Sequence, residues 1–134
     1  MDAESAGVTV GTVGSLVVVA MAVVPFLVAD AGAIGVYYAA GFVGPPFLAV
    51  LAIVTGVALA AGHRRRSDPA TAAGIAVVMS LMLVVFSLTW AVSVTPSLLG
   101  GLTEVAVFQH HRWAVVVAGI LALVGSGLYT RAVV

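Results

Sequence analysis

The sequence contains no cysteine and no lysine, and it has few charged residues of either sign. Without cysteine the chain can form neither a disulfide nor a thiolate metal site, and Cys-x-x-Cys redox chemistry is excluded. The quinone-linked thiol oxidoreductases of similar size are therefore excluded. Five acidic and five basic residues give a formal net charge of zero, so the composition offers no basis for a nucleic-acid partner.

Apolar residues dominate the sequence instead. Of its 134 residues 63% are hydrophobic and 7% are charged, and the mean hydropathy is +1.26, whereas roughly a quarter of the residues in a soluble domain are charged. The composition predicts that lipid is the solvent. A secretory signal would begin with positive residues, whereas Asp2 and Glu4 stand here before an apolar run too long for a signal. We expect that run to be a retained span.

Four apolar segments are long enough to cross ~30 Å of hydrocarbon. We expect a single integral membrane domain over residues 1–134, with spans at about 9–29, 46–62, 69–94 and 112–130. Because backbone groups in lipid must be paired within a segment, the predicted fold class is all-α, a transmembrane four-helix up-and-down bundle. Pro25 predicts a kink or early unwinding of span one, with the freed carbonyl satisfied by a neighbouring helix. Asp68 and Pro69 predict the start of the third span.

Three spans carry stripes of small or hydroxyl-bearing residues at helical spacing, which allow close helix packing in lipid. The stripes are Ala49, Ala52, Gly56 and Ala60 in span two, Ala73, Val77, Ser80, Val84, Ser87 and Ala91 in span three, and Ala114, Ala118, Ala122, Gly125 and Tyr129 in span four. We expect the serines of span three to hydrogen bond between helices.

The segment His63–Pro69, here called the arginine loop, predicts the topology. It holds three of the five arginines and connects spans two and three. Basic residues in short loops are retained in the cytoplasm. With four spans, both termini lie on the same side as this loop, so Arg131 joins the inner arginines and Arg112 lies outside. We therefore predict a multi-pass cell-membrane protein with both termini and Arg64–Arg66 in the cytoplasm.

Polar and aromatic residues collect at the opposite, outer interface. They are Asp30, Tyr37, Tyr38, Trp90, Glu104, Gln109, His110, His111, Arg112 and Trp113. One interpretation is an outward-facing pocket in which Asp30 or Glu104 pairs with Arg112 and orients a histidine for metal, proton or partner binding. The other is an aromatic belt, with tyrosine hydroxyls at headgroup level and a Glu104–Arg112 pair. We favour the belt.

The sequence lacks the residues that haem binding, proton-coupled transport and enzyme catalysis require. A haem needs two converging axial ligands, but His63 is predicted at the inner end of the bundle and His110 and His111 at the outer end. Adjacent histidines on a helix also point about 100° apart. Small multidrug transporters have four spans and a buried carboxylate, whereas no acidic residue lies within a predicted span. With no catalytic motif, we expect no enzyme activity, no cofactor and no metal.

Short motifs in three places carry a resemblance to a family. Asp30 with residues 37–41, residues 67–70 and residues 110–113 resemble uncharacterised small four-span membrane proteins of halophilic archaea, over nearly the whole chain. The resemblance implies a four-span fold and an archaeal plasma membrane. The family has no assigned activity to carry over.

The sequence leaves two hypotheses for function. The first is an accessory or structural subunit, surrounded by membrane lipid, that packs against itself or a larger membrane complex through its small-residue stripes. The alternative is a protein that binds a small molecule, ion or lipid at the outward-facing polar and aromatic cluster.

Overall fold

A computed structural model of the chain describes residues 2–28, 35, 38–39, 44–94 and 105–134, without the side chains of 26, 28 and 105–109. These residues form helices and no strand. The helices are α1 (Ala3–Val23), α2 (Pro25–Val28), α3 (Pro45–His63), α4 (Pro69–Ser93) and α5 (Val105–Val133). The predicted all-α class is confirmed.

Four helical segments are long and apolar enough to cross a membrane: Ala3–Val23, Pro45–His63, Pro69–Ser93 and His110–Val133. The first begins earlier than the sequence pattern predicts because Asp2 caps it, accepting the Ser5 backbone N–H at 2.8 Å. Asp68 caps α4 in the same way, with Pro69 in the first turn as predicted. The side chains that begin these helices are therefore charged and lie outside the apolar spans.

The long helices form an up-and-down bundle. α1 packs against α3 and α5, and α4 packs against the same two helices, while α3 and α5 make a smaller contact with each other. The arginine loop lies beside Glu4, and His111 lies beside Met21 at the far end of α1. We call these the arginine end and the His111 end. The arginine loop and His111 therefore lie at opposite ends of the molecule, as predicted.

The closest helix contact is between α1 and α5. A side-chain carbon added at Gly125 would collide with the backbone of Gly11, and one added at Gly14 would lie 2.5 Å from the Ala122 nitrogen. The two backbones therefore touch, which only glycine permits. Burial of Ala118, Ala122 and Tyr129 agrees with the predicted stripe in span four. The partner glycines in α1 were missed, although Gly7 and Gly11 have the Gly-x-x-x-Gly spacing.

The stripe in α4 also faces the bundle interior, where Ala73, Ser80, Ser87 and Ala91 are buried. The prediction that its serines bond to other helices is wrong. The Ser80 hydroxyl donates to the Ala76 carbonyl at 2.6 Å, and the Ser87 hydroxyl donates to the Val84 carbonyl at 2.9 Å. A carbonyl one turn back is always within reach of a helical serine, so the hydroxyl needs no partner on another helix.

Candidate functional site

The candidate site begins with a break in α1. Pro25 has no backbone N–H, so the Met21 carbonyl, four residues earlier, loses its intrahelical donor. α1 ends at Val23, and the single turn of α2 follows from Pro25. The Ala22 carbonyl lies in the same last turn, where helix carbonyls commonly lack partners. Two backbone acceptors are thus presented to the bundle at one place.

Two side chains from elsewhere in the chain bond to these carbonyls. The Tyr38 hydroxyl donates to the Ala22 carbonyl at 2.5 Å, and His111 on α5 donates from Nε2 to the Met21 carbonyl. A carbonyl only accepts, so Nε2 carries the proton in this bond. The prediction that a neighbouring helix satisfies the carbonyl freed by Pro25 is confirmed.

Trp90 on α4 packs between these two side chains. Its ring meets Tyr38 edge to face at a centroid distance of 6.1 Å and meets His111 at 6.3 Å. Trp90 is 0% exposed, His111 5% and Tyr38 9%. We call Met21, Ala22, Tyr38, Trp90 and His111 the His111 cluster. It joins α1, α4 and α5 with Tyr38 from the connection between α2 and α3.

The predicted aromatic belt is wrong for two of these residues. Tyr38 does not direct its hydroxyl to headgroups, because the hydroxyl is buried on Ala22. Burial raises the pKa of Tyr38 well above its ordinary range, so the phenol remains a donor. Trp90 is fully buried rather than facing lipid. Aromatic residues near the end of a span can lie either at the headgroups or inside the bundle. The Ala22 carbonyl at the broken end of α1 gives the Tyr38 hydroxyl a polar partner inside the bundle.

Arg112 lies beside His111 in sequence, but its side chain bonds to the end of α4 rather than to α1. Its Nη1 donates to the carbonyls of Ala91, at 3.0 Å, and Val94. These carbonyls end α4, where unpaired oxygens carry partial negative charge that a guanidinium offsets. The Arg112 guanidinium also lies 5.5 Å from the ring centroid of Trp113. Arg112 therefore caps α4, and its Nε is buried without a partner among the described residues.

The remaining candidate residues are divided between the surface and the undescribed segments. His110 and Trp113 are exposed, Trp113 by 42%, so adjacent His110 and His111 face different surroundings. Asp30, Tyr37 and Glu104 lie outside the described residues. Pairing of Arg112 with either carboxylate therefore stays a prediction. Among the described residues, no three His, Asp or Glu side chains converge as metal ligands.

A second polar group lies at the arginine end. Glu4 accepts from Arg65 Nη1 at 2.7 Å and lies 3.2 Å from His63 Nδ1. The hydrogen bond that Arg65 donates to the Glu4 carboxylate raises the pKa of Arg65. This pairing joins residues 61 positions apart, so no local sequence signal indicated it. It ties the first turn of α1 to the end of α3.

The backbone at the end of α3 places Arg65. Its φ of 58° is left-handed, a conformation usually taken by glycine. The Arg65 N–H donates to the Gly62 carbonyl at 3.1 Å and the Arg66 N–H donates to the Ala61 carbonyl at 2.9 Å. These are the two bonds of a Schellman motif. The turn closes α3 and directs Arg65 toward Glu4.

Apolar grooves run along the sides of the bundle. One, with a volume of about 230 Å³, lies between α1 and α3 and is lined by Ser15, Ala52, Gly56, Ala60 and neighbouring apolar residues. Ala52 is buried, whereas Gly56 and Ala60 are half-buried. The small-residue stripe of α3 therefore lies at the margin of its contact with α1. The groove could therefore accommodate an apolar neighbour, and no charged residue lines it.

Comparison with known proteins identifies a family. The model of the family of unknown function DUF7548 matches residues 1–134. No curated protein and no solved structure matches the chain. Because the match covers every residue of this helical bundle, the chain belongs to the family of unknown function DUF7548.

Proposed function

We propose that the protein is a small multi-pass membrane protein that acts as a structural or accessory subunit. It packs against a second copy of itself or against a larger membrane complex. The observation that carries this proposal is that its buried and half-buried polar side chains near the His111 end bond to the protein's own backbone. His111, Tyr38 and Arg112 all bond to backbone carbonyls of the protein's own helices. Their chemistry maintains the bundle.

The outer faces of the helices support the same proposal. On α3, Val50 and Ile53 are each 53% exposed and Val57 is 62% exposed. Ile53 and Val57 line the groove formed with α1, where Gly56 and Ala60 leave room for close approach. Small residues beside large apolar ones are typical of helix–helix contacts in lipid. An external helix is a suitable occupant of such a surface.

The alternative, binding of an ion or small molecule at the outer cluster, has less support. The Nε2 atom of His111 would have to leave the Met21 carbonyl, and the Nη1 atom of Arg112 would have to leave the end of α4, before either of these atoms could bond to a ligand. Each departure would leave a buried backbone oxygen without a donor, which costs about 1–3 kcal/mol. Lipid contact along the apolar faces needs no such change.

Further parts of the proposal concern setting and chemistry. We propose residence in an archaeal cell membrane with the arginine loop in the cytoplasm, and function without enzymatic chemistry or a cofactor. The cluster of arginines on one connection supports the orientation under the positive-inside rule.

The test combines extraction with cross-linking. Protein extracted in mild detergent is expected to have a mass above the 13.4 kDa of one chain. Because the chain has no cysteine, Val57→Cys introduces a single thiol beside the groove. We expect that thiol to cross-link to a second copy or to a co-purifying chain in native membranes. Val117→Cys, exposed on α5, is the matched control.

Two results would contradict the proposal. One is a lone monomer under several extraction conditions. The other is equal cross-linking from Val57→Cys and Val117→Cys, since random collision treats both positions alike.

A further inference from the structure

The acidic groups at the arginine end are all engaged within the chain. Asp2 and Asp68 each accept a backbone N–H from three residues on, at 2.8 and 3.0 Å. Glu4 bonds to Arg65 at 2.7 Å. Within the described part of the chain, Arg64 and Arg66 are exposed and have no carboxylate at ion-pair distance. Two guanidinium groups of the arginine loop therefore remain for an outside anion.

The turn that carries these two arginines is fixed. The Arg64 N–H donates to the Ala60 carbonyl at 3.0 Å, and the Arg66 N–H donates to the Ala61 carbonyl at 2.9 Å. α4 begins at Pro69, directly after its cap at Asp68. The connection is thus anchored to helices on both sides, which limits the entropy lost when its side chains bind a ligand.

The position of the turn indicates the chemistry of the anion. The second apolar span ends at His63 and the third begins at Pro69, so Arg64 and Arg66 lie where hydrocarbon gives way to headgroups. Guanidinium groups bind phosphate through paired hydrogen bonds. We propose that Arg64 and Arg66 bind the phosphate of an anionic phospholipid headgroup. Arg65 takes no part, because Glu4 holds it.

This proposal depends on the helices crossing a bilayer and not on the subunit role. It is tested with purified protein in mild detergent, titrated with short-chain phosphatidylglycerol or phosphatidylcholine of equal chain length. Native mass spectrometry counts the bound lipid. A basic residue near a membrane contributes about 1 kcal/mol toward anionic lipid, or about fivefold in affinity. We expect Arg64→Gln/Arg66→Gln to weaken phosphatidylglycerol binding by about 25-fold.

The matched control is Glu4→Gln/Arg65→Gln, which alters the same turn, preserves net charge and leaves both binding arginines. It is expected to retain the preference for phosphatidylglycerol. Elution volume and helical content verify that each variant is folded. The proposal is overturned if wild-type protein binds both lipids equally, or if both double variants lose the preference alike. It is also overturned if inorganic phosphate competes as effectively as the lipid, since the site would then serve free anions.

Discussion

At the scale of single residues, the contact between α1 and α5 depends on absent side chains. Gly11 and Gly125 lie backbone to backbone, because a carbon added at Gly125 would collide with the backbone of Gly11. A carbon added at Gly11 would instead lie 2.5 Å from the Leu59 side chain on α3. In lipid, where apolar surface gains little by leaving its surroundings, such close van der Waals contact is a main source of helix association. The glycines thus stabilise the pair of helices by allowing their backbones to make van der Waals contact.

Gly125→Ala and Gly127→Ala are expected to have opposite effects. The first places a methyl group against Gly11 and should lower the free energy of unfolding by about 1–3 kcal/mol or more. The second meets nothing within 4 Å and should raise it by about 0.5–1 kcal/mol, because alanine favours helix. Titration of denaturing detergent, followed by tryptophan fluorescence, measures both. Equal effects would show that the contact does not exist.

Sequence reasoning identified one side of this contact. The stripe through Ala118, Ala122 and Gly125 has helical spacing over several turns, and its burial follows directly. Gly11 lies among valines inside the predicted span, and Gly7 lies before the predicted start of that span, near a charged terminus. The cap by Asp2 extends α1 to that point, so the partner depends on a local bond that composition does not indicate.

At the scale of helices, the bundle is defined by how each helix ends. α1 ends at a proline and gives two carbonyls to Tyr38 and His111. α4 ends beneath Arg112, and α3 ends in the turn that carries Arg65. The ends of α1 and α4 are therefore completed by side chains from other parts of the chain, whereas backbone N–H groups close the end of α3. Helix ends in lipid require this, because water is not there to satisfy them.

The bond between His111 and the break in α1 predicts a coupling. His111→Phe should lower the free energy of unfolding by about 1–3 kcal/mol, since the Met21 carbonyl loses its donor. Pro25→Ala restores a backbone N–H to that carbonyl. In the Pro25→Ala background the same histidine substitution should therefore cost less, and a double-mutant cycle measures the difference. Additive costs would mean that Pro25 and His111 act independently.

Helix ends also show where prediction from sequence stops. Pro25 and Asp68 act through neighbours three or four residues away, so their effects were predicted correctly. Tyr38 reaches Ala22 across 16 residues and His111 reaches Met21 across 90. Those partners are chosen by the packing of the bundle. A pattern read along the chain classifies such residues only as polar and interfacial, which is why the belt was the expectation for Tyr38 and Trp90.

At the scale of the whole molecule, charge is distributed between two unlike ends. The arginine end carries Arg64, Arg65, Arg66 and Arg131, with exposed guanidinium groups. The His111 end carries Arg112, half-buried on carbonyls. This difference makes a directed orientation in the membrane the natural expectation.

Orientation can be measured with the thiol-free chain. Ser67→Cys in the arginine loop and His110→Cys at the other end are both at exposed positions. In intact cells, an impermeant maleimide is expected to label His110→Cys and to spare Ser67→Cys until the membrane is opened. The reverse labelling would place the arginine loop outside. Labelling of both in sealed cells would indicate mixed insertion.

The bond between Met21 and His111 also has a consequence for biogenesis. During synthesis α1 leaves the ribosome first, and the donor that its broken end requires is encoded 90 residues later. Until α5 enters the bilayer, the Met21 carbonyl at the broken end of α1 has no His111 donor, and lipid offers it no water to bond with. This end of α1 is therefore completed only after α5 has been synthesised, and a product truncated before His111 is expected to retain an unpaired Met21 carbonyl.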